Sequence, residues 1–115
     1  LLATARALFG TVPAPDPAAV AAPIARLGRA LFWDARIASD GRTSCAGCHA
    51  VADGSADRRP LSPDARGRLT ARNSQPVYNS TLQPSLRWTG DRADAAAQAI
   101  GSLTGSMGFA TLDAA

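Results

Sequence analysis

The sequence predicts an all-α domain built from short helices and long loops, and three observations support this class. Apolar residues repeat at helical spacing from Ile24 to about Asp34, and residues 92–103 are alanine-rich and predicted to be helical until Gly101. No two segments show the alternating pattern and turn of a strand pair. Residues 53–76 contain mainly Asp, Gly, Arg, Pro and Ser without a helical period, which is typical of a long loop with a ligand-wrapping role.

Local signals predict two further helical pieces near the start of the chain. Residues 1–9 have helical composition and a glycine follows them. Asp16 and Pro17 resemble a helix N-cap and a first helical residue. We therefore expect an N-terminal helical and Pro/Ala-containing segment over 1–23 and a single domain over 24–115.

Two glycine-containing stretches carry further predictions. The sequence "SDGRTS" at 39–44 indicates a turn, after which Ser44 or Thr43 is expected to cap a short helix. Gly28 interrupts the predicted helix that starts at Ile24, where it costs about 1 kcal/mol relative to alanine. We expect close packing of another element against it.

The composition limits the functional classes. All twelve basic residues are Arg and all nine acidic residues are Asp, so the chain has neither Lys nor Glu. The net charge of +3 is spread along the chain with few aromatic residues, so we expect a solvated surface and no nucleic-acid binding. No uncharged run approaches the roughly 20 residues of a membrane helix, so no membrane span is expected. The chain begins with Leu rather than Met, so we expect that it has been processed or trimmed.

The most specific motif is "CAGCH", formed by Cys45, Cys48 and His49. C-x-x-C-H is the attachment signal for a c-type haem. Cysteines three residues apart on one helical turn point to the same side and can reach the two vinyl groups of one porphyrin. The histidine that follows then binds the iron, so the sequence predicts one covalently attached haem c.

Two other interpretations of the cysteines fit the sequence less well. A redox-active C-x-x-C is usually preceded by a strand in a βαβ unit, whereas a turn precedes this one. A structural zinc site needs four ligands, and this motif offers only three.

The second axial position of the iron is open to several ligands. His49 is the only histidine and Met107 the only methionine, so Met107 is the one strong second axial ligand in the chain. His/Met ligation raises the reduction potential and suits a one-electron carrier. Met107 could equally fill a gap in the core, which would leave the position open or occupied by water.

Three segments resemble a known family. They are "LGRALFWDARIASDGRTSCAGCH" (27–49), "ARNSQPVYN" (71–79) and "WTGDRADAAAQAIGSLTGSMG" (88–108). Together they resemble the N-terminal haem domain of the bacterial di-haem cytochrome c peroxidases, which include the MauG-type enzymes. The resemblance implies a cytochrome-c-like helical fold with long loops around the covalent haem. It also implies a periplasmic location and hydrogen peroxide as substrate.

The resemblance also assigns roles to individual residues. The attachment motif matches the haem-binding cysteines and the proximal histidine. Trp88 matches a tryptophan that lies between the two haems and relays electrons. Gln98 matches a distal-pocket glutamine, and Asn73 matches an asparagine in the region that contributes to a calcium site.

The distal acid of the family is missing from this sequence. Relatives place a glutamate before a methionine near the end of the third motif, whereas Ser106 precedes Met107 here. Serine is a poor substitute for a proton-transferring carboxyl group. Only a rearranged pocket could recruit an aspartate such as Asp91, Asp94 or Asp113.

Two further departures concern histidine and length. Residues 53–72 lack the histidine that caps the resting peroxidatic haem in some relatives. No second C-x-x-C-H is present, whereas relatives continue into a second haem domain. The chain is therefore expected to be a fragment, a split subunit or a single-haem protein.

These observations predict a periplasmic electron-transfer protein. Its redox partner would be another cytochrome, a cupredoxin or a second haem domain. The alternative is a peroxidase or MauG-like oxidase subunit that reduces hydrogen peroxide at an open haem face. A gas-binding sensor is a third class.

Overall fold

The computed structural model describes all residues 1–115 and contains five α-helices and no β-strand. The helices are α1 (Leu2–Phe9), α2 (Pro17–Ala21), α3 (Pro23–Trp33), α4 (Cys45–Cys48) and α5 (Ala95–Thr104). Short 3-10 turns lie at Ala35–Ile37, Val51–Asp53, Ser80–Leu82 and Leu112–Ala114. Outside the helices, strand-like pairing is limited to three isolated bridges. The predicted all-α class is confirmed.

Glycine, aspartate and proline residues set the boundaries of the N-terminal helices. Gly10 follows α1 with a φ of 74°, a left-handed conformation that glycine adopts without strain. The carboxylate of Asp16 accepts a hydrogen bond from the backbone N–H of Ala18 at 3.0 Å, so it caps α2 as predicted. Pro23 both ends this piece and occupies the first turn of α3, where its missing N–H costs nothing.

Helix α3 packs against α4, the short helix that carries both cysteines. Ser44 caps α4, since its hydroxyl accepts a bond from the N–H of Gly47 at 3.2 Å. The predicted close packing at Gly28 is wrong: a Cβ built there would have no neighbour within 4 Å. That part of α3 faces open space, and its apolar residues Ile24, Leu27 and Leu31 are exposed.

Few side chains are fully enclosed by protein. Six of 115 residues are buried, and the apolar ones are Ala38, Ala46, Leu86 and Met107. The accessible surface of 8210 Å² is well above the roughly 5,900 Å² expected of a compact monomer of this mass. The exposed apolar surface is the kind that a large apolar cofactor or a further domain would cover.

Helix α5 begins at a capping aspartate and runs further than its composition predicted. The Asp94 carboxylate accepts a hydrogen bond from the N–H of Ala97 at 2.8 Å. The helix continues through Gly101, expected to end it, as far as Thr104. The side chain of Arg92 lies over Gly101, where a Cβ would be 3.0 Å from its Nε.

Two segments distant in sequence meet beyond α5. The guanidinium of Arg66 donates to the carbonyls of Gly105 at 3.0 Å, Phe109 at 2.9 Å and Thr104 at 3.3 Å. The long loop is thereby fastened to the C-terminal end of α5. No helix in the structure combines the length and the apolar character needed to cross a bilayer.

Candidate functional site

Helix α4 carries two free thiols on one helical turn. Cys45 and Cys48 are both half-buried, and neither forms a disulfide. Burial raises the pKa of the Cys45 thiol, so this group stays protonated at neutral pH. Two thiols on one helical turn fit the predicted thioether attachment of a porphyrin.

The ring of His49 is oriented by a backbone carbonyl. Its Nδ1 lies 2.8 Å from the carbonyl oxygen of Gln75. Because a carbonyl oxygen can only accept, Nδ1 carries the proton and the lone pair of Nε2 is available to a metal. This is the arrangement that fixes the tautomer of metal-ligating histidines, so the residues fit an axial role toward haem iron.

The two rival interpretations of the motif find no support in this geometry. No group of three or more His, Cys, Asp or Glu side chains converges as metal ligands would. No strand precedes α4, as the βαβ setting of a redox C-x-x-C requires.

A polar cluster in the long loop contacts α4, which is called the attachment helix below because it carries both cysteines. Arg59 donates to the carboxylate of Asp57, with Nη2 and Oδ2 separated by 2.7 Å, and to the carbonyl of Gly47 at 3.3 Å. The hydroxyl of Ser62 donates to Asp57 at 2.7 Å and lies 2.7 Å from the hydroxyl of Ser74. The Arg59 guanidinium holds the pKa of Asp57 well below its usual range, with a further contribution from Ser62. Asp57 is therefore ionised at neutral pH.

Asn73 and Trp88 are brought into the same cluster. The Asn73 amide nitrogen donates to the carbonyls of Asp57 at 2.9 Å and Arg59 at 2.7 Å. The indole N–H of Trp88 donates to the carbonyl of Asn73 at 2.9 Å. Trp88 is 59% exposed, so most of its ring faces solvent.

Gln98 and Met107 lie at a second location, around α5. The Gln98 amide nitrogen donates to the hydroxyl of Ser102 at 3.2 Å, whereas its oxygen Oε1 is buried without a donor. Met107 is 4% exposed, and its backbone bonds join Ser102 and Ser39. Neither residue forms a hydrogen bond with the 45–49 motif.

Of the three aspartates that a rearranged pocket could recruit, two are engaged, whereas Asp113 is exposed without an ion pair on the turn Leu112–Ala114, which contacts α5. The stretch from Ala95 to Ala110 contains no ionisable residue. Asp91 accepts bonds from Thr89, Arg87 and Arg92, and the Thr89 hydroxyl is the main cause of its lowered pKa. Asp94 is occupied as the α5 cap.

Sequence reasoning missed two functional groups near the motif. The Gln75 carbonyl that orients His49 is a main-chain atom, so no residue type reveals it. The one available signal was Pro76, because a residue before proline is usually extended and keeps its carbonyl outside any helix. Arg59, one of twelve arginines, was indistinguishable by composition.

The fold and the site together define a small all-α haem-protein domain with a C-x-x-C-H attachment motif. The family model described as "Di-haem cytochrome c peroxidase" matches residues 22–114. The chain therefore belongs to this family of haem proteins, as the sequence motifs predicted.

Curated relatives carry names that agree with this assignment. The chain is 36% identical over 96 residues to a cytochrome-c peroxidase of Denitromonas iodatirespirans, covering 84% of this chain and 26% of that protein. It is 33% identical to the cytochrome c551 peroxidase of Pseudomonas aeruginosa, covering 90% and 31%. It is 32% identical to the methylamine utilization protein MauG of Methylophilus methylotrophus, covering 82% and 28%. The chain thus spans about a quarter to a third of these relatives.

Proposed function

We propose that this chain is a haem c electron-transfer domain that works in the bacterial periplasm. The observation that carries this proposal is the absence of any ionisable side chain from Ala95 to Ala110, in a chain without glutamate. Cleavage of peroxide needs a group that carries a proton to the leaving oxygen. Electron transfer needs no such group.

Three residues of the motif hold the cofactor in this proposal. Cys45 and Cys48 supply the thioether sulfurs, and His49 binds the iron through Nε2. Bound haem supplies one-electron chemistry, whose potential depends on its ligands and their hydrogen bonds. The Gln75 carbonyl supports ligation by fixing the imidazole ring, since it occupies Nδ1–H at 2.8 Å.

Electrons reach or leave the domain near Trp88 in this proposal. Its indole is held at one edge by the Asn73 carbonyl and is otherwise largely exposed. A partner would be another cytochrome, a cupredoxin or a second haem domain, and the net charge of +3 favours one with an acidic surface. A calcium ion would use the Oδ1 of Asn73, since protein carbonyls engage only the amide nitrogen.

We also propose Met107 as the second axial ligand of the iron, which requires its side chain to move. Met107 is 4% exposed because other residues of the chain surround it. To bind iron, its side chain must move so that the sulfur is no longer enclosed by these residues. A Met-to-iron charge-transfer band in the oxidised spectrum, lost in Met107→Ala, is the expected sign of ligation. A band that is absent from the wild-type protein would show that Met107 only packs in the core.

The experiment for electron transfer uses the holoprotein with covalently bound haem. Stopped-flow mixing with a reduced cytochrome or cupredoxin should give rapid, salt-dependent haem reduction, while stoichiometric peroxide leaves the ferric Soret band unchanged. A Soret band that shifts at once with peroxide would contradict the proposal. Haem that washes out in acidified acetone would contradict covalent attachment to Cys45 and Cys48.

A peroxidase or MauG-like oxidase subunit is the second candidate, favoured by the buried, unpartnered Oε1 of Gln98. This acceptor suits a small hydrogen-bond donor such as peroxide or water. Gln98→Leu should then slow the peroxide-dependent Soret change without affecting reduction by a partner. Equal rates in the two proteins would remove the reason to favour this candidate.

A further inference from the structure

Three consecutive backbone carbonyls carry the contacts that organise the site. The carbonyl of Asn73 accepts from the Trp88 indole at 2.9 Å, and that of Gln75 accepts from the His49 ring at 2.8 Å. Between them, the Ser74 carbonyl accepts from the N–H of Asp57 at 3.3 Å. Residues 73–75, the bridging segment, therefore join the indole to the imidazole through two hydrogen bonds and two residues of main chain.

The bridging segment is held in place by the side chain of Asn73. Its amide nitrogen has two hydrogens, and both are directed at carbonyl oxygens, those of Asp57 and Arg59. Only an amide fits these two acceptors, because aspartate would set a carboxylate against them and leucine would leave both unpaired. Arg59 in turn donates to the carbonyl of Gly47, which lies between the two cysteines. The position of the bridging segment is therefore also linked to the helix that carries the cysteines.

We infer that Asn73 is a positioning residue that sets the strength of the His49–Gln75 hydrogen bond and couples it to Trp88 through the bridging segment. This inference rests on the proposed haem ligation by His49. A firm bond from Nδ1–H makes the imidazole a more basic ligand, which stabilises ferric iron. Loosening the segment weakens that bond and favours ferrous iron. The role is separate from calcium binding, which would use the other amide atom, Oδ1.

The test compares Asn73→Leu with the wild-type holoprotein, both in excess calcium chelator. Leucine keeps the shape of asparagine but has no donor. The ferrous-to-ferric ratio at a fixed potential should rise about tenfold, equal to about 59 mV for one electron. With Met107→Ala added to every protein, so that the ferrous iron keeps only His49 as protein ligand, the iron–imidazole stretch in the resonance Raman spectrum should fall as well.

Trp88→Phe is the second arm, because it removes a single N–H at a largely exposed position. It should lower the same Raman frequency by a smaller amount, since it frees only one end of the bridging segment. Trp33→Phe is the matched control, because Trp33 is similarly exposed, at 55%, and lies at the end of α3 rather than on the bridging segment. It should leave the Raman frequency and the potential unchanged.

The contrary outcomes are distinct. A lower melting temperature with an unchanged Raman frequency in Asn73→Leu would overturn the inference in favour of a purely structural role. If the chelated wild-type protein already matches Asn73→Leu, calcium accounts for the effect and the inference fails. Should Asn73→Leu not fold, an unchanged Raman frequency in Trp88→Phe overturns it. Wild-type protein that binds no haem through His49 would instead contradict the proposed function.

Discussion

Arg59 contacts Asp57 with two nitrogens, Nη2 at 2.7 Å from Oδ2 and Nε at 2.9 Å from Oδ1. The Asp57 side chain is 6% exposed, whereas that of Arg59 is 49% exposed. Because the same guanidinium reaches the carbonyl of Gly47, this ion pair connects the long loop to the attachment helix. The connection requires Asp57 to be ionised.

The first prediction concerns acid stability. The pKa of Asp57 is lowered in the folded state, so its contribution is present above its ordinary value of 3.8 and is lost as the pH falls through the folded pKa. Melting temperatures of the holoprotein should therefore fall from about pH 4 downward. Asp57→Asn should melt lower at neutral pH and lose less on acidification.

The control for this prediction is Asp113→Asn, at an exposed aspartate without an ion pair. Its pH profile should parallel that of the wild-type protein. Parallel profiles for Asp57→Asn and the wild-type protein would show that Asp57 does not govern the acid transition.

The second prediction concerns Arg66, which donates to three carbonyls at the end of α5. Arg66→Ala should lower the free energy of unfolding by about 1–3 kcal/mol, because carbonyls at a helix terminus lose their donors. Arg66→Lys should recover only part of this, since an ammonium cannot reproduce the planar fork. Urea unfolding measures the loss, and equal stability of all three proteins would contradict it.

Hydrogen exchange supplies the local readout for Arg66. In Arg66→Ala, the amide protons of 104–109 should exchange faster while those of α3 stay protected. Uniformly faster exchange would indicate a global effect rather than the release of this one segment.

The helices were predictable because their signals are local. Asp16 and Ser44 cap the helices that follow them, and the alanine-rich run of α5 needs no tertiary partner to identify it. The loop contacts were not predictable in this way. Arg66 meets the carbonyl of Phe109 across 43 residues of sequence, and no periodicity encodes such a pairing.

In the site, too, the local features were predictable and the long-range contacts were not. The cofactor motif occupies five consecutive residues and could be read directly, but the carbonyl of Gln75 that orients His49 carries no side-chain signature. At Gly28, in contrast, the sequence predicted a contact that the structure does not contain. A glycine within a helix suggested a packed neighbour, yet that position of α3 faces open space.

The third prediction concerns Ser62, which is 1% exposed. Its hydroxyl donates to Asp57 at 2.7 Å and lies 2.7 Å from the hydroxyl of Ser74. Ser62→Ala should cost about 1–3 kcal/mol in urea unfolding, because two half-buried polar groups, Asp57 and Ser74, lose a partner. The exposed Ser85→Ala is the control and should change the free energy of unfolding by less than about 0.5 kcal/mol. A Ser62→Ala protein as stable as this control would contradict the importance of the cluster.

The last prediction contrasts two glycines whose surroundings differ. Gly28→Ala should raise the free energy of unfolding by up to about 1 kcal/mol, because alanine favours the helix and its Cβ meets no atom within 4 Å. Gly108 has a φ of 87°, and a Cβ there would collide with the Ser39 hydroxyl and approach the Ala65 Cβ to 3.1 Å. Gly108→Ala should therefore cost more than about 1 kcal/mol, since strained backbone adds to the collision.

Urea unfolding of the two alanine variants, with the wild-type protein as reference, measures both effects. The difference has a structural consequence at Met107, because the N–H of Ser39 donates to its carbonyl at 2.9 Å. Displacement of Ser39 should loosen the Met107 segment, so Gly108→Ala is also expected to speed amide exchange at Ser39. An increase in the free energy of unfolding in Gly28→Ala and a decrease in Gly108→Ala would support this account of the tertiary contacts. A stabilising Gly108→Ala would contradict it.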